Sequence, residues 1–263
     1  MLFRSEQVKK WDDVAADYQR VFSCGINEYN RGLLEFFRQE GLLSPGCRVL
    51  DIGCGVGKYG TYFAELGCDV TLTDISPAML THAAANMAPY STPWRTVEGD
   101  FAVLDDETLS GGRKFDLSIS MMSPAIDDLA GVKKMSGLTL GWCFTANFIA
   151  WRQPIRDEFC RRMGLEPPPM RNSDMAESAV RLVQAVTDAG YMPLVRQVPY
   201  NWSDDRSPRE AAAYLMQRCG GSTGNAAEMA RAEMIAAELA DENGIFVDSV
   251  STDVVWIYWR TEE

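Results

Sequence analysis

The chain has 263 residues, 46% of them apolar and 24% charged, which suits one large domain or one domain with a small accessory region. Its formal net charge of −12 repels phosphate backbones and argues against a general nucleic-acid binder. Seven scattered cysteines (Cys24, Cys47, Cys54, Cys68, Cys143, Cys160 and Cys219) are never spaced CxxC, and His82 is the single histidine; this excludes a zinc cluster or disulfide frame and predicts reduced thiols in a cytoplasmic protein.

The N-terminal "MLFRSEQVKKWDD" turns acidic where a signal peptide would turn apolar, and no apolar run reaches the length of a membrane span. Residues 5–40 predict helices. Val8, Trp11, Val14 or Ala15, Tyr18 and Phe22 form one apolar stripe, and Tyr29, Leu33, Phe36 and Phe37 form a second that stops at Gly41. "RVLDIG" predicts a first strand, followed by a helix closed at Gly67. "DVTLTDIS" predicts a second strand, then a helix started by Ser76 with Pro77 in its first turn. "PWRTVEGDF" and "KFDLSISMM" predict a third and fourth strand.

Beyond residue 130 the pattern is less regular. "AGVKKMSGLTL" reads as helix and "GWCFTANFIAW" as a buried strand. "PIRDEFCRRMG" and "ESAVRLVQAVTDAG" read as helices, with a loop at "LEPPPMRNSD" between them. "YMPLVRQVPYNW" reads as a strand, residues 207–219 and 225–242 as polar helices, and "GIFVDSVSTDVVWIYWR" as two strands or one bent strand. Strands alternating with helices mean βαβ units and a parallel sheet.

The glycine-rich turn "GCGVGKYG" raises three ligands by spacing alone: a nucleoside triphosphate, a nicotinamide dinucleotide or S-adenosylmethionine. A P-loop needs Gly five residues before Gly57 and Ser or Thr after Lys58; Ile52 and Tyr59 stand there instead. "GVGKYG" with Asp74 downstream satisfies the dinucleotide pattern literally, but about fifty residues of helix precede it and no later segment suggests hydride transfer.

"VLDIGCGVG" resembles the glycine-rich motif of class I S-adenosylmethionine-dependent methyltransferases. "TLTDISPAML" resembles their second motif, "EGDF" their third and "FDLSISMM" their fourth strand, in register from about residue 45 to 125. The N-terminal "WDDVAADYQRVF" is similar to the helix that small-molecule members place over the site. The "lkPGG" turn of the family is replaced by "SGLTLGWCF".

The resemblance implies an α/β, Rossmann-like, mostly parallel seven-stranded sheet with helices on both faces, an antiparallel last strand and a helical N-terminal cap. It implies binding of S-adenosylmethionine, and of the product S-adenosylhomocysteine, at Asp51, Gly53, Cys54, Gly55, Gly57, Asp74, Ile75, Asp100, Phe101, Met121 and Tyr18. In that assignment Asp51 takes the ammonium, Asp74 the ribose hydroxyls, Ile75 one face of adenine, and Asp100 with the Phe101 N–H the adenine edge.

No catalytic base or metal ligand is assigned, because in-line displacement at a sulfonium needs alignment more than proton transfer. Ser123-Pro124 replaces the Asn-Pro-Pro-Tyr type motif of some amine methyltransferases. Asp127 and Asp128 either attract a cationic acceptor or cap the next helix. Trp142, Phe144, Phe148 and Trp151 either line an acceptor pocket or pack in the core, and Cys143 and Cys160 offer a thiol reading that lacks a partner histidine.

One methyltransferase domain is expected over 1–263. It comprises a cap (1–44), a cofactor-binding core (45–202), a helical insertion or lid (203–243) and terminal strands (244–263). The expected acceptor is a small molecule rather than nucleic acid or membrane, and the expected oligomer a monomer or homodimer. A nicotinamide-dependent oxidoreductase and a non-catalytic S-adenosylmethionine-binding protein are the rival readings.

Overall fold

A computed structural model describes residues 2–22, 27–167 and 172–261. The chain divides into two compact units, Met1–Asn147 with Glu177–Gln197 and Val255–Glu263, and Phe148–Ala176 with Val198–Val254.

The first unit begins with α1 (Leu2–Asp12), α2 (Ala15–Phe22) and α3 (Glu28–Gln39). The stripe expected to form one helix is broken after Asp12. Two consecutive acids are unfavourable at a helix C-terminus, and Asp12 is engaged elsewhere, as described below. α3 is capped by Asn27, whose side chain accepts the Asn30 N–H at 2.9 Å.

Strands β1 (Arg48–Ile52), β2 (Asp69–Asp74), β3 (Trp94–Glu98), β4 (Phe115–Met121) and β5 (Thr139–Arg152) alternate with α4 (Lys58–Glu65), α5 (Pro77–Met87), the short α6 (Asp106–Ser110) and α7 (Leu129–Gly137). The ladders β2–β3, β1–β2, β1–β4 and β4–β5 are parallel. Leu50, Ile52, Leu72, Leu117, Ile119 and Phe144 are fully buried, the burial on both faces that a helix-covered parallel sheet requires.

With β6 (Leu194–Pro199), β7 (Trp202–Arg206) and β8 (Phe246–Arg260), the sheet has eight strands in the order β3-β2-β1-β4-β5-β8-β6, with β7 paired to β8 off this path. β8 runs against β5: the Thr261 N–H donates to Gly141 O and the Thr145 hydroxyl to Ile257 O. It is one strand rather than two.

The eighth strand arises within the second unit. The segment expected to be one strand breaks at Tyr200–Asn201, where Asn201 Oδ1 takes the Thr252 N–H at 3.1 Å. β7 then forms an antiparallel ladder from Trp202↔Val250 to Arg206↔Phe246, so the 203–243 segment opens on a strand before its two helices. Those helices are α10 (Pro208–Arg218) and α11 (Ala226–Glu238). With α8 (Pro154–Met163) they bury Phe159, Leu215, Met216, Ile235 and Phe246. α9 is Asn172–Asp188, and the loop expected before it lies partly outside the described residues. No described helix is long and apolar enough to cross a membrane.

Candidate active site

The candidate site lies in the first unit, at the carboxyl ends of β1 to β4. Gly53, Gly55 and Gly57 all have positive φ (69°, 54° and 78°), so the turn between β1 and α4 needs glycine for its backbone alone. Their surroundings differ. A Cβ on Gly53 would lie 2.0 Å from Ser123 Oγ, and one on Gly57 3.1 Å from Ala83 Cβ. One on Gly55 would meet nothing closer than Met79 Sδ at 3.9 Å. Gly53 and Gly57 are therefore packed against protein, whereas Gly55 leaves a cradle that a side chain would fill. The N–H groups of Gly53 and Cys54 both donate to Thr73 O, at 2.8 and 3.0 Å, which ties the turn to β2.

Two carboxylates flank this turn on adjacent strands. Asp74 is half-buried at the end of β2; its Oδ2 accepts the Gly55 N–H and its Oδ1 the Ser76 N–H, both at 2.9 Å. Burial raises its pKa, opposed by those amides. Asp51, next to the end of β1, is 1% exposed, and neither of its oxygens has a hydrogen-bond partner. Desolvation, with a smaller push from Asp74, lifts its pKa to about 8; the Gly60 amide opposes the rise without completing a hydrogen bond. A buried carboxyl with both oxygens unpaired is costly and fits a site waiting for a donor. Ile75 is half-buried beside Asp74.

After β3, Asp100 Oδ1 accepts the Ala102 N–H at 3.0 Å in a local turn. Phe101 is buried; Lys134 Nζ donates to Phe101 O at 2.6 Å and to Leu104 O, and sits 5.0 Å from the Phe101 ring centre. After β4, Met121 is buried and Met122 has φ 53°, the non-glycine residue at positive φ among those described, held by its N–H to Ala146 O at 2.7 Å. Cys54 is buried and its thiol pKa is raised well above the usual range by desolvation.

The N-terminal helices are tied to this end of the sheet. Asp12 Oδ1 accepts the Ser76 hydroxyl at 2.5 Å and the Ala78 N–H at 3.2 Å, so the end of α1 helps cap α5. Gln19 and Asn86 exchange two hydrogen bonds, and Asn86 Nδ2 also donates to Val56 O in the glycine turn at 2.9 Å. Trp11, Val14, Ala15 and Phe22 pack with Val56 and Met79. Tyr18 is 49% exposed and meets Trp11 edge-on at 6.3 Å. Sequence reasoning missed Asp12, Gln19, Asn86 and Lys134: their partners lie 30 or more residues away, and no local motif marks such pairs.

The four aromatic candidates do not share one place. Phe144 is fully buried in the core against Phe37, and Trp142 pairs in register with Leu117, towards the amino end of β4. Phe148 and Trp151 belong to the second unit, in a half-buried cluster with Tyr200 and Trp202. Asp128 caps α7 through the Gly131 N–H, and Asp127 is exposed. Burial pushes the Cys143 thiol up to about 12.

Residues 49–135 match the family described as "Methyltransferase domain". The chain is 32% identical over 90 residues to ribosomal RNA small subunit methyltransferase C of Alcanivorax borkumensis, covering 34% of this chain and 27% of that protein. It is 34% identical over 96 residues to ribosomal RNA large subunit methyltransferase E of Sorangium cellulosum, covering 35% and 42%. The chain thus spans less than half the length of these curated relatives. Among solved structures, magnesium protoporphyrin IX methyltransferase from Synechocystis PCC 6803 with bound SAH superposes with a TM-score of 0.50 and 18% identity, over 96% of this chain and 98% of that one; the likeness is one of fold. Segment 49–135 thus matches a methyltransferase domain and lies in a Rossmann-like fold, the fold of class I methyltransferases. S-adenosylmethionine is the cofactor of that class.

Proposed function

We propose that the protein transfers a methyl group from S-adenosylmethionine to a small-molecule acceptor and releases S-adenosylhomocysteine. The observation that carries this reading is the pairing of the open Gly55 cradle with Asp51 and Asp74 on adjacent parallel strands. Open α/β sheets bind ligands at such strand ends. The orphaned Asp51 oxygens suit an ammonium group, directly or through water. Each Asp74 oxygen already holds one backbone N–H, which fixes the carboxylate plane and leaves a lone pair on each for a ribose hydroxyl. Gly53, Cys54, Gly55 and Gly57 let the backbone approach the amino-acid portion, with Met121 beside it. Ile75, Asp100 and the Phe101 N–H take the adenine, and Tyr18 closes from the cap.

When bound, the cofactor supplies an electrophilic methyl on a sulfonium and a neutral sulfide leaving group. The residues of the chain align, desolvate and hold, so the rate derives from positioning. Ionised Asp51 pairs with the ammonium end, and Asp74 fixes the sugar and thereby the direction in which the methyl points.

The formal charge of −12 favours a small acceptor over a polyanion. The test is to supply methyl-labelled S-adenosylmethionine with either a small-metabolite extract or total RNA. Label in the small-molecule fraction, lost in Asp74→Ala, supports the reading. Label on RNA overturns the acceptor assignment. Cofactor binding with label in neither fraction marks a binding protein without turnover.

A further inference from the structure

Cys47 immediately precedes β1 and Cys68 immediately precedes β2, so the two stand side by side at the amino ends of neighbouring parallel strands. Arg48 and Asp69 are the next register pair, and the Asp69 N–H donates to Cys47 O at 3.0 Å. Adjacent strands run about 4.8 Å apart, inside the Cα separation of roughly 4.4–6.8 Å that a disulfide bridges. The two sulfurs are already in contact, Sγ to Sγ 3.6 Å.

The pair also has a route to solvent. Cys47, itself only 8% exposed, lines an open cleft of about 430 Å³ formed with Ser44, Pro45, Asp116, Trp142 and Arg260, while Cys68 is fully buried. This cleft lies at the opposite end of the sheet from Asp51 and Asp74. Either sulfur can donate in this contact, and Cys68 Sγ also reaches Ser44 O at 3.8 Å; the contact pulls the Cys47 thiol below its usual range and pushes Cys68 up, while burial and Asp116 oppose the fall at Cys47. Both thiols are buried, but Cys47 is the one that lines the cleft, so Cys47 is the nucleophile and Cys68 the resolving thiol, the division of labour of a reactive dithiol.

We infer that Cys47 and Cys68 form a redox-active dithiol that low-molecular-weight disulfides oxidise through the Cys47 cleft. The Cys47 thiolate attacks one sulfur of the small disulfide, whose S–S bond breaks and releases one thiol after protonation. Cys68 then loses its proton to solvent and attacks Cys47 Sγ, releasing the second small thiol. Two protein thiols are oxidised and one disulfide is reduced to two thiols. The new bond closes a ring around residues 48–67, which contain the glycine turn and α4.

The test is incubation of the native, fully reduced protein with oxidised glutathione, followed by alkylation after unfolding and peptide mapping. The expected result is a Cys47–Cys68 cross-linked peptide, reversed by dithiothreitol, with Cys143 still alkylated. Cys68→Ser is expected to accumulate glutathione on Cys47, and Cys47→Ser to accumulate none at Cys68. The inference is overturned if both cysteines alkylate as fully as Cys143, if glutathione stays on wild-type Cys47, or if the cross-link joins another pair.

Discussion

Asp51 gives the sharpest prediction about the ligand-free protein. Its pKa rises from 3.8, the ordinary value of an aspartate in the unfolded chain, to about 8 on folding. Between pH 5 and pH 7 the folded state keeps this proton and the unfolded state has lost it. The unfolded state thus binds fewer protons, and stability falls as pH rises. At about 1.4 kcal/mol per pH unit the loss over that interval is roughly 3 kcal/mol. Asp51→Asn keeps the shape and removes the proton. Urea unfolding of both proteins at a series of pH values should show the variant gaining on wild type by roughly 3 kcal/mol between pH 5 and pH 7, levelling off above the folded pKa. Saturating S-adenosylmethionine should flatten the wild-type slope, because its ammonium supports the carboxylate. Parallel stability curves for wild type and variant, with no widening gap, would refute the reasoning that burial keeps Asp51 protonated.

The glycines separate by what faces them. Gly53→Ala meets Ser123 Oγ at 2.0 Å at positive φ and should cost about 2–3 kcal/mol in thermal or urea unfolding. Gly55→Ala should cost only about 1 kcal/mol of stability yet weaken cofactor binding more than tenfold by titration, since its Cβ would fill the cradle. Asp12→Ala removes an acceptor from the start of α5 and should cost about 1 kcal/mol, with faster proteolytic cleavage at Lys9 and Lys10; unchanged cleavage would mean that Asp12 does not hold α1 in place.

The strands and turns of the first half were legible because their motifs are local. "VLDIGCGVG", "TLTDIS" and "EGDF" each join a strand to its turn, and the structure sets Asp51 next to the end of β1, Asp74 at the end of β2 and Asp100 just past the end of β3. Strand order beyond β4 was legible only in outline, because pairing of β8 with β5, β6 and β7 joins segments far apart in sequence. The α1–α2 break was hidden because Asp12 answers to Ser76, 64 residues away, while the apolar stripe itself is continuous. The aromatic run from Trp142 to Trp151 left pocket and core both open in sequence: a strand presents alternate residues to opposite faces, and a run this long carries its rings to several environments. Gly55 looked the same as its neighbours in sequence, and only the space around each Cβ position distinguishes them.

Calorimetric titration of wild type and Asp74→Ala with S-adenosylmethionine, S-adenosylhomocysteine and NAD tests the assignment of this site most directly. The predicted result is micromolar binding of both sulfur nucleosides, weakened at least a hundredfold in the variant, because Asp74 holds Gly55 and Ser76 and, in the proposed site, would hold the ribose as well. Binding of NAD in their place would make "GVGKYG" a dinucleotide loop and contradict the methyltransferase reading.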